Sequence, residues 1–137
     1  MIDVTRGHGR SLAWFTFGGY AGAIFSLTHW PRLQLPMLVP RSDLWVHCFV
    51  FGLWAILFAI CRPAGPLLSG RNIRWSSGVA VVYAVIDELT QGLPGINRSV
   101  GVDDLGANLL GILGAVSILW VLRSAILARR TPTTPAP

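Results

Sequence analysis

Apolar residues along this chain gather into four long runs, approximately 11–28, 43–62, 74–93 and 103–127. At about 1.5 Å of rise per residue each run, taken as a helix, is long enough to cross ~30 Å of hydrocarbon. The stretches between them are short and carry the residues that stop helices and make turns. The first holds Pro31, Pro36 and Pro40, the second Pro63, Gly65, Pro66 and Gly70, and the third Pro94, Gly95 and Gly101. The pattern predicts an all-α fold, a membrane bundle of four transmembrane helices running up-down-up-down. Residues 1–10 form a polar N-terminal segment, and the Pro/Thr-rich stretch 128–137 reads as a disordered tail.

Composition agrees with a bilayer and excludes other classes. Of 137 residues, 53% are hydrophobic and 12% charged, an imbalance that leaves a water-soluble bundle no polar faces to present. The net charge of +5 comes entirely from arginine. These arginines flank the apolar runs instead of lining one face with aromatic residues between them, so no nucleic-acid partner is expected. Arg6, Arg10, Arg62, Arg71, Arg74, Arg123, Arg129 and Arg130 fall on one side of the expected bundle; Arg32, Arg41 and Arg98 fall on the other. By the positive-inside rule both termini are cytoplasmic. Trp14, Trp30, Trp45, Trp75 and Trp120 lie towards the helix ends as an interfacial belt, while Trp54 lies mid-span. Arg6 and Arg10 followed by an apolar run and Ala21-Gly22-Ala23 imitate a cleavable signal peptide, but the run continues through Ile24, Phe25 and Leu27, which favours a retained helix.

Charged and amide side chains inside a membrane segment are costly and usually face the bundle interior, which makes them functional candidates. Here Asp43 and His47 occupy the first turns of the second run. Asp87, Glu88 and Gln91 occupy the last turns of the third, and Asp103, Asp104 and Asn108 the first turns of the fourth. Five of the six acidic residues thus converge on the outer face, leaving Asp3 on the other. Helical spacing places Asp43 with His47, Glu88 with Gln91, and Asp104 with Asn108 and Gly111 on shared edges. Arg98 sits in the tight connection between the last two helices, suited to a carboxylate or a phosphate. Asp43, His47, Glu88, Gln91, Arg98, Asp104 and Asn108 are therefore the candidate ligand-binding residues. His47, Glu88 and Asp104 are a permissive set for a divalent cation without a diagnostic run of ligands, so no metal is assigned.

Other features read more blandly. Gly18-x-x-x-Gly22 is expected to let neighbouring helices of the bundle approach closely, or else to serve dimerisation, and Ala107, Gly111 and Ala115 make a similar small-residue seam. Cys48 and Cys61, thirteen positions apart in one helix, stand ~20 Å from each other and cannot pair. His29, at the end of the first helix, reads as a solvated interfacial histidine that could join the outer cluster. Asn97-Arg98-Ser99 matches a glycosylation sequon in a loop that hugs the membrane. His8 carries no signal.

The string Asp43 with His47, Glu88-x-x-Gln91, Pro94-Gly95, Arg98 and Asp104-x-x-x-Asn108-x-x-Gly111 resembles the VanZ-like family of small bacterial membrane proteins, over roughly residues 26–115. The family commonly has lysine directly after the first aspartate, where this chain has Leu44. The resemblance implies a multi-pass protein of the bacterial plasma membrane and cell envelope, similar to one that raises resistance to the glycopeptide teicoplanin. It implies no reaction and no cofactor.

The outer cluster admits three readings. A non-enzymatic envelope protein would use it to recognise an anionic headgroup of a lipid or a lipid-linked cell-wall precursor. A metal-assisted enzyme acting on a polyprenyl or phospholipid headgroup would use His47 or Glu88 as general base. A structural or assembly partner would use it only to lock helices together.

Overall fold

Four α-helices make up the structure, a computed structural model that describes residues 4–30, 41–96 and 100–130. They are α1 (Val4–Thr28), α2 (Ser42–Ile60), α3 (Gly70–Gln91) and α4 (Val102–Arg130), with no strand among the described residues. The expected connection around Pro31, Pro36 and Pro40, the Asn97-Arg98-Ser99 sequon with Arg98, and residues 131–137 lie outside the described residues.

Helix boundaries depart from the apolar runs in ways local chemistry explains. Backbone hydrogen bonding does not stop where hydrophobicity does, so α1 includes Arg6 and Arg10, and α4 continues through residues 128–130, which the tail was expected to contain. α3 starts a turn early because Ser69, in an extended conformation, accepts a hydrogen bond from the Asn72 amide at 3.2 Å as N-cap. α2 ends at Ile60 with Cys61 as its C-cap; Arg62 follows with a left-handed φ of 55° and donates its amide to Ala59 O at 3.0 Å before Pro63 forbids another turn.

The first three helices are antiparallel in succession, as two contacts per pair make plain. Tyr20 donates to Val50 O and the Cys61 thiol to Ala13 O, joining α1 to α2. Asn72 donates to Ala59 O where α3 begins beside the end of α2. Trp54 of α2 stacks on Tyr83 of α3 with ring centroids 4.8 Å apart and planes 10° from parallel. Trp54 is thus mid-helix because it is core, 4% exposed, between Phe17, Phe58 and Tyr83. Ala80 and Ala84 make room for it and Phe51 on the α3 side.

α2 is the hub and packs on all three other helices, whereas α1 and α4 do not touch among the described residues. Its contact with α4 is backbone on backbone. A Cβ at Gly111 would stand 1.9 Å from Cys48 O, and one at Gly52 would stand 2.9 Å from Gly111 O. Ala107 and Ala115 are buried on either side, so the small-residue seam of α4 is a real packing surface. The Gly18/Gly22 expectation fails within the bundle. Nothing lies within 4 Å of either Cβ position, because α1 turns Phe17, Tyr20, Ala21 and Ile24 inward instead.

Two helices, α2 and α4, are long and apolar enough to cross a membrane. α3 falls short on average hydropathy for a reason visible in its packing. It buries Asn72, Ser76, Asp87, Glu88 and Gln91 and turns Trp75, Val81, Val82, Ile86 and Leu89 outward. That is the reverse of a water-soluble helix, which hides its apolar stripe. Exposed Phe15 on α1, Phe49 on α2 and Leu113 and Val121 on α4 continue the apolar exterior around the bundle. Cys48 and Cys61 are free thiols.

Candidate functional site

The described polar residues singled out from the sequence lie at one end of the bundle, where α1 and α3 finish and α2 and α4 begin, and several of them touch. They form two clusters, built from the consecutive residues Asp87 and Glu88 of α3. Neighbours in a helix point about 100° apart, so one carboxylate faces α1 and the other faces α4 and α2.

Asp87 is 1% exposed and accepts hydrogen bonds from three donors. Thr28 Oγ1 donates to Oδ1 at 3.0 Å across the α1–α3 interface, Tyr83 OH donates to the same oxygen at 3.4 Å, and Gln91 Nε2 donates to Oδ2 at 3.0 Å. His29 stands beside this group, its Nδ1 3.8 Å from Asp87 Oδ1 and its Nε2 2.8 Å from Thr90 Oγ1. Its ring stacks on Phe25 at 4.1 Å. His29 is therefore a tie between α1 and α3, which corrects its reading as a solvated interfacial residue. Gln91, named from the sequence as a ligand contact, is committed to Asp87.

Glu88 is equally buried but differently served. Its Oε1 accepts the Gly101 amide at 2.6 Å, and its Oε2 has no hydrogen-bond partner among the described residues. Gly101 leaves the Asp104 side chain in place, since a Cβ there would come within 2.9 Å of Asp104 Oδ2 and push the carboxylate aside. Half-buried Asp104, one turn into α4, and His47 of α2 both lie near enough to act electrostatically on Glu88. His47 Nδ1 lies 3.0 Å from Asn108 Oδ1, one of the polar ties across the α2–α4 seam. Asn108 is fully buried, and its Nδ2 has no partner among the described residues. Turning the amide over would exchange the orphaned nitrogen for an orphaned oxygen without removing the vacancy.

The remaining candidates stand apart. Asp43 is exposed, one turn before His47. Arg98 lies outside the described residues. Among the described residues no three His, Cys, Asp or Glu side chains come together so as to hold a metal ion, so His47, Glu88 and Asp104 do not form the permissive set anticipated for them. At the rim, Arg41 and Asp103 form an exposed ion pair joining α2 to α4. Beneath that pair runs a cleft of about 460 Å³ between the same helices, lined by Trp45, Cys48, Val102, Ala107 and Leu110.

Sequence reasoning passed over Asp87, Thr28, Tyr83 and Thr90 as site residues. A signal was present: Thr28-His29 ends α1 on the same side as Asp87 and Thr90, so two hydroxyls and an imidazole were already placed to meet a carboxylate. Comparison with protein-family models, with curated proteins and with solved structures returns no match.

Proposed function

We propose that this chain is a VanZ-like integral protein of the bacterial plasma membrane, with four spans and both termini in the cytoplasm. In this reading its outer polar end binds the headgroup of an anionic envelope lipid or lipid-linked cell-wall precursor. The observation that carries the proposal is the unfilled half of the polar end. Among the described residues, buried Glu88 Oε2 offers an unmatched acceptor and Asn108 an unmatched amide nitrogen. Leaving such groups unpaired costs about 1–3 kcal/mol each, and hydroxyl or amide groups of a headgroup would satisfy both. Arg98, placed by the sequence in the connection between α3 and α4, is the anion contact. The apolar α2–α4 cleft beside the Arg41–Asp103 pair is suited to an acyl or prenyl chain. Four spans are supported by the apolar exterior of every helix, including α3, whose polar residues face inward.

Native mass spectrometry of the chain released from nanodiscs of bacterial polar lipid tests the proposal. Arg98→Gln and Glu88→Gln are each expected to lose one bound lipid while the protein still inserts and folds; unchanged lipid stoichiometry in both variants overturns it. Cysteine introduced at Ser99 in a Cys48→Ser, Cys61→Ala background is expected to react with an impermeant maleimide added outside the cell. Cysteine at Thr131 is expected to react only after permeabilisation. A reversed result removes the outer site.

A structural role alone accounts for the Asp87 half, where every donor is met. It leaves Glu88 and Asn108 unexplained. The enzymatic reading has no set of metal ligands behind it among the described residues.

A further inference from the structure

The opposite end of the bundle carries a second feature that topology alone does not use. All described carboxylates lie at or near the polar end just discussed, in Asp43, Asp87, Glu88, Asp103 and Asp104, so the arginines at the other end face no acidic side chain among the described residues. One of them is already engaged. Arg123 donates to Leu68 O at 2.8 Å and lies over the Trp120 ring. Arg10 and Arg62, in contrast, line a cavity of about 720 Å³ whose remaining wall includes Ala13, Ile60 and Pro63. Arg71 and Arg74 line a neighbouring cavity of about 460 Å³ with Trp75, and Pro63 belongs to both walls.

We propose that these two cavities together hold one phospholipid bearing two phosphate groups, one phosphate at Arg10 and Arg62 and the other at Arg71 and Arg74. Guanidinium forks match phosphate oxygens in pairs, and a basic recess between helix ends is the form such headgroup sites take in membranes. Arg62 is directed by its left-handed backbone and by Pro63 behind it, so its position is set by the chain path between α2 and α3. Exposed Trp75 beside the second cavity places an aromatic ring at headgroup depth. Ala13 and Ile60 supply the apolar floor on which the first methylenes of the acyl chains rest.

The full chain in nanodiscs of zwitterionic lipid doped with a few per cent of cardiolipin tests this. Native mass spectrometry is expected to show one cardiolipin retained per chain. The paired variants Arg10→Gln/Arg62→Gln and Arg71→Gln/Arg74→Gln should each lower retention on the order of tenfold, the weight of one lost charge-assisted contact, with unfolding midpoints unchanged. Exposed Arg129→Gln, outside both cavities, should leave retention as it was. An equal loss with Arg129→Gln would mean diffuse attraction and overturn the site. Equal retention of phosphatidylglycerol would overturn the two-phosphate assignment, and displacement of cardiolipin by millimolar inorganic phosphate would overturn the lipid. Glu88→Gln separates this end from the outer one: it should leave cardiolipin bound, and loss there would assign the lipid to the outer site instead.

Discussion

Asp87 and Glu88 are adjacent in sequence, equally buried, and opposite in circumstance. Asp87 faces α1 and meets three donors; Glu88 faces α4 and α2 and, among the described residues, keeps one oxygen unmatched, as Asn108 keeps its amide nitrogen. The difference teaches how to tell a structural polar cluster from a receptive one when both are made of the same residue types. A cluster that closes on itself holds helices together. A cluster that leaves a buried donor and acceptor open has kept capacity for something else, and its members should answer differently to substitution.

The largest effect is expected at Gly111, which holds the seam beneath the Glu88 side. Gly111→Val puts a side chain where Cys48 O already stands, so α2 and α4 must part. A loss of about 3 kcal/mol in unfolding free energy is expected, together with loss of the His47–Asn108 tie and of the proposed headgroup binding. An unchanged midpoint would mean the seam is not closed as described.

Asp87→Ala should come next. It strands Tyr83 and Gln91 without their acceptor, while Thr28 keeps its second acceptor at Phe25 O, and is expected to cost about 2 kcal/mol in denaturant or thermal unfolding in detergent. Lipid stoichiometry in the surviving folded protein should be unaltered. If the variant instead loses lipid at full stability, the two halves have been assigned the wrong way round.

Glu88→Gln is the mirror of that experiment. The amide keeps an acceptor for the Gly101 N–H and nearly the same shape, so stability should move by less than about 1 kcal/mol in either direction while the proposed headgroup binding is lost. The smallest effect belongs to the Arg41–Asp103 pair at the rim. Both side chains are about two-thirds exposed, and Asp103→Asn should shift the midpoint by no more than about 0.5 kcal/mol, less again in high salt. A larger shift would make the rim part of the seam.

Much of this end of the molecule was legible in advance because short connections and helical spacing leave few choices. Asp104 and Asn108 share an edge with Gly111 in any helix, and a tight α3–α4 turn must bring Glu88 near the start of α4. Which way α3 rotates was not legible: that depends on Ala80 and Ala84 seating Trp54 and Phe51, a tertiary fit that spacing cannot express. Hence Asp87, placed on the polar face with its neighbour, was left out of the ligand-binding set that included Glu88. Gly18 and Gly22 mislead for a related reason, since a small-residue motif says that close approach is possible and not which face of α1 turns inward. Average hydropathy understates α3 because it adds inward polar residues to outward apolar ones without regard to direction.

The backbone contact between α2 and α4 also has a consequence for how the protein is made. His47 leaves the ribosome 61 residues ahead of Asn108, and at elongation rates of about 5–20 residues per second that interval is roughly 3–12 s. During it, a helix that will become the hub of the bundle waits with its imidazole unmatched and its Gly52 groove empty. The nascent chain must therefore wait for its last helix before α2 can complete its packing, and a chain cut short before α4 would have neither its seam nor its receptive end.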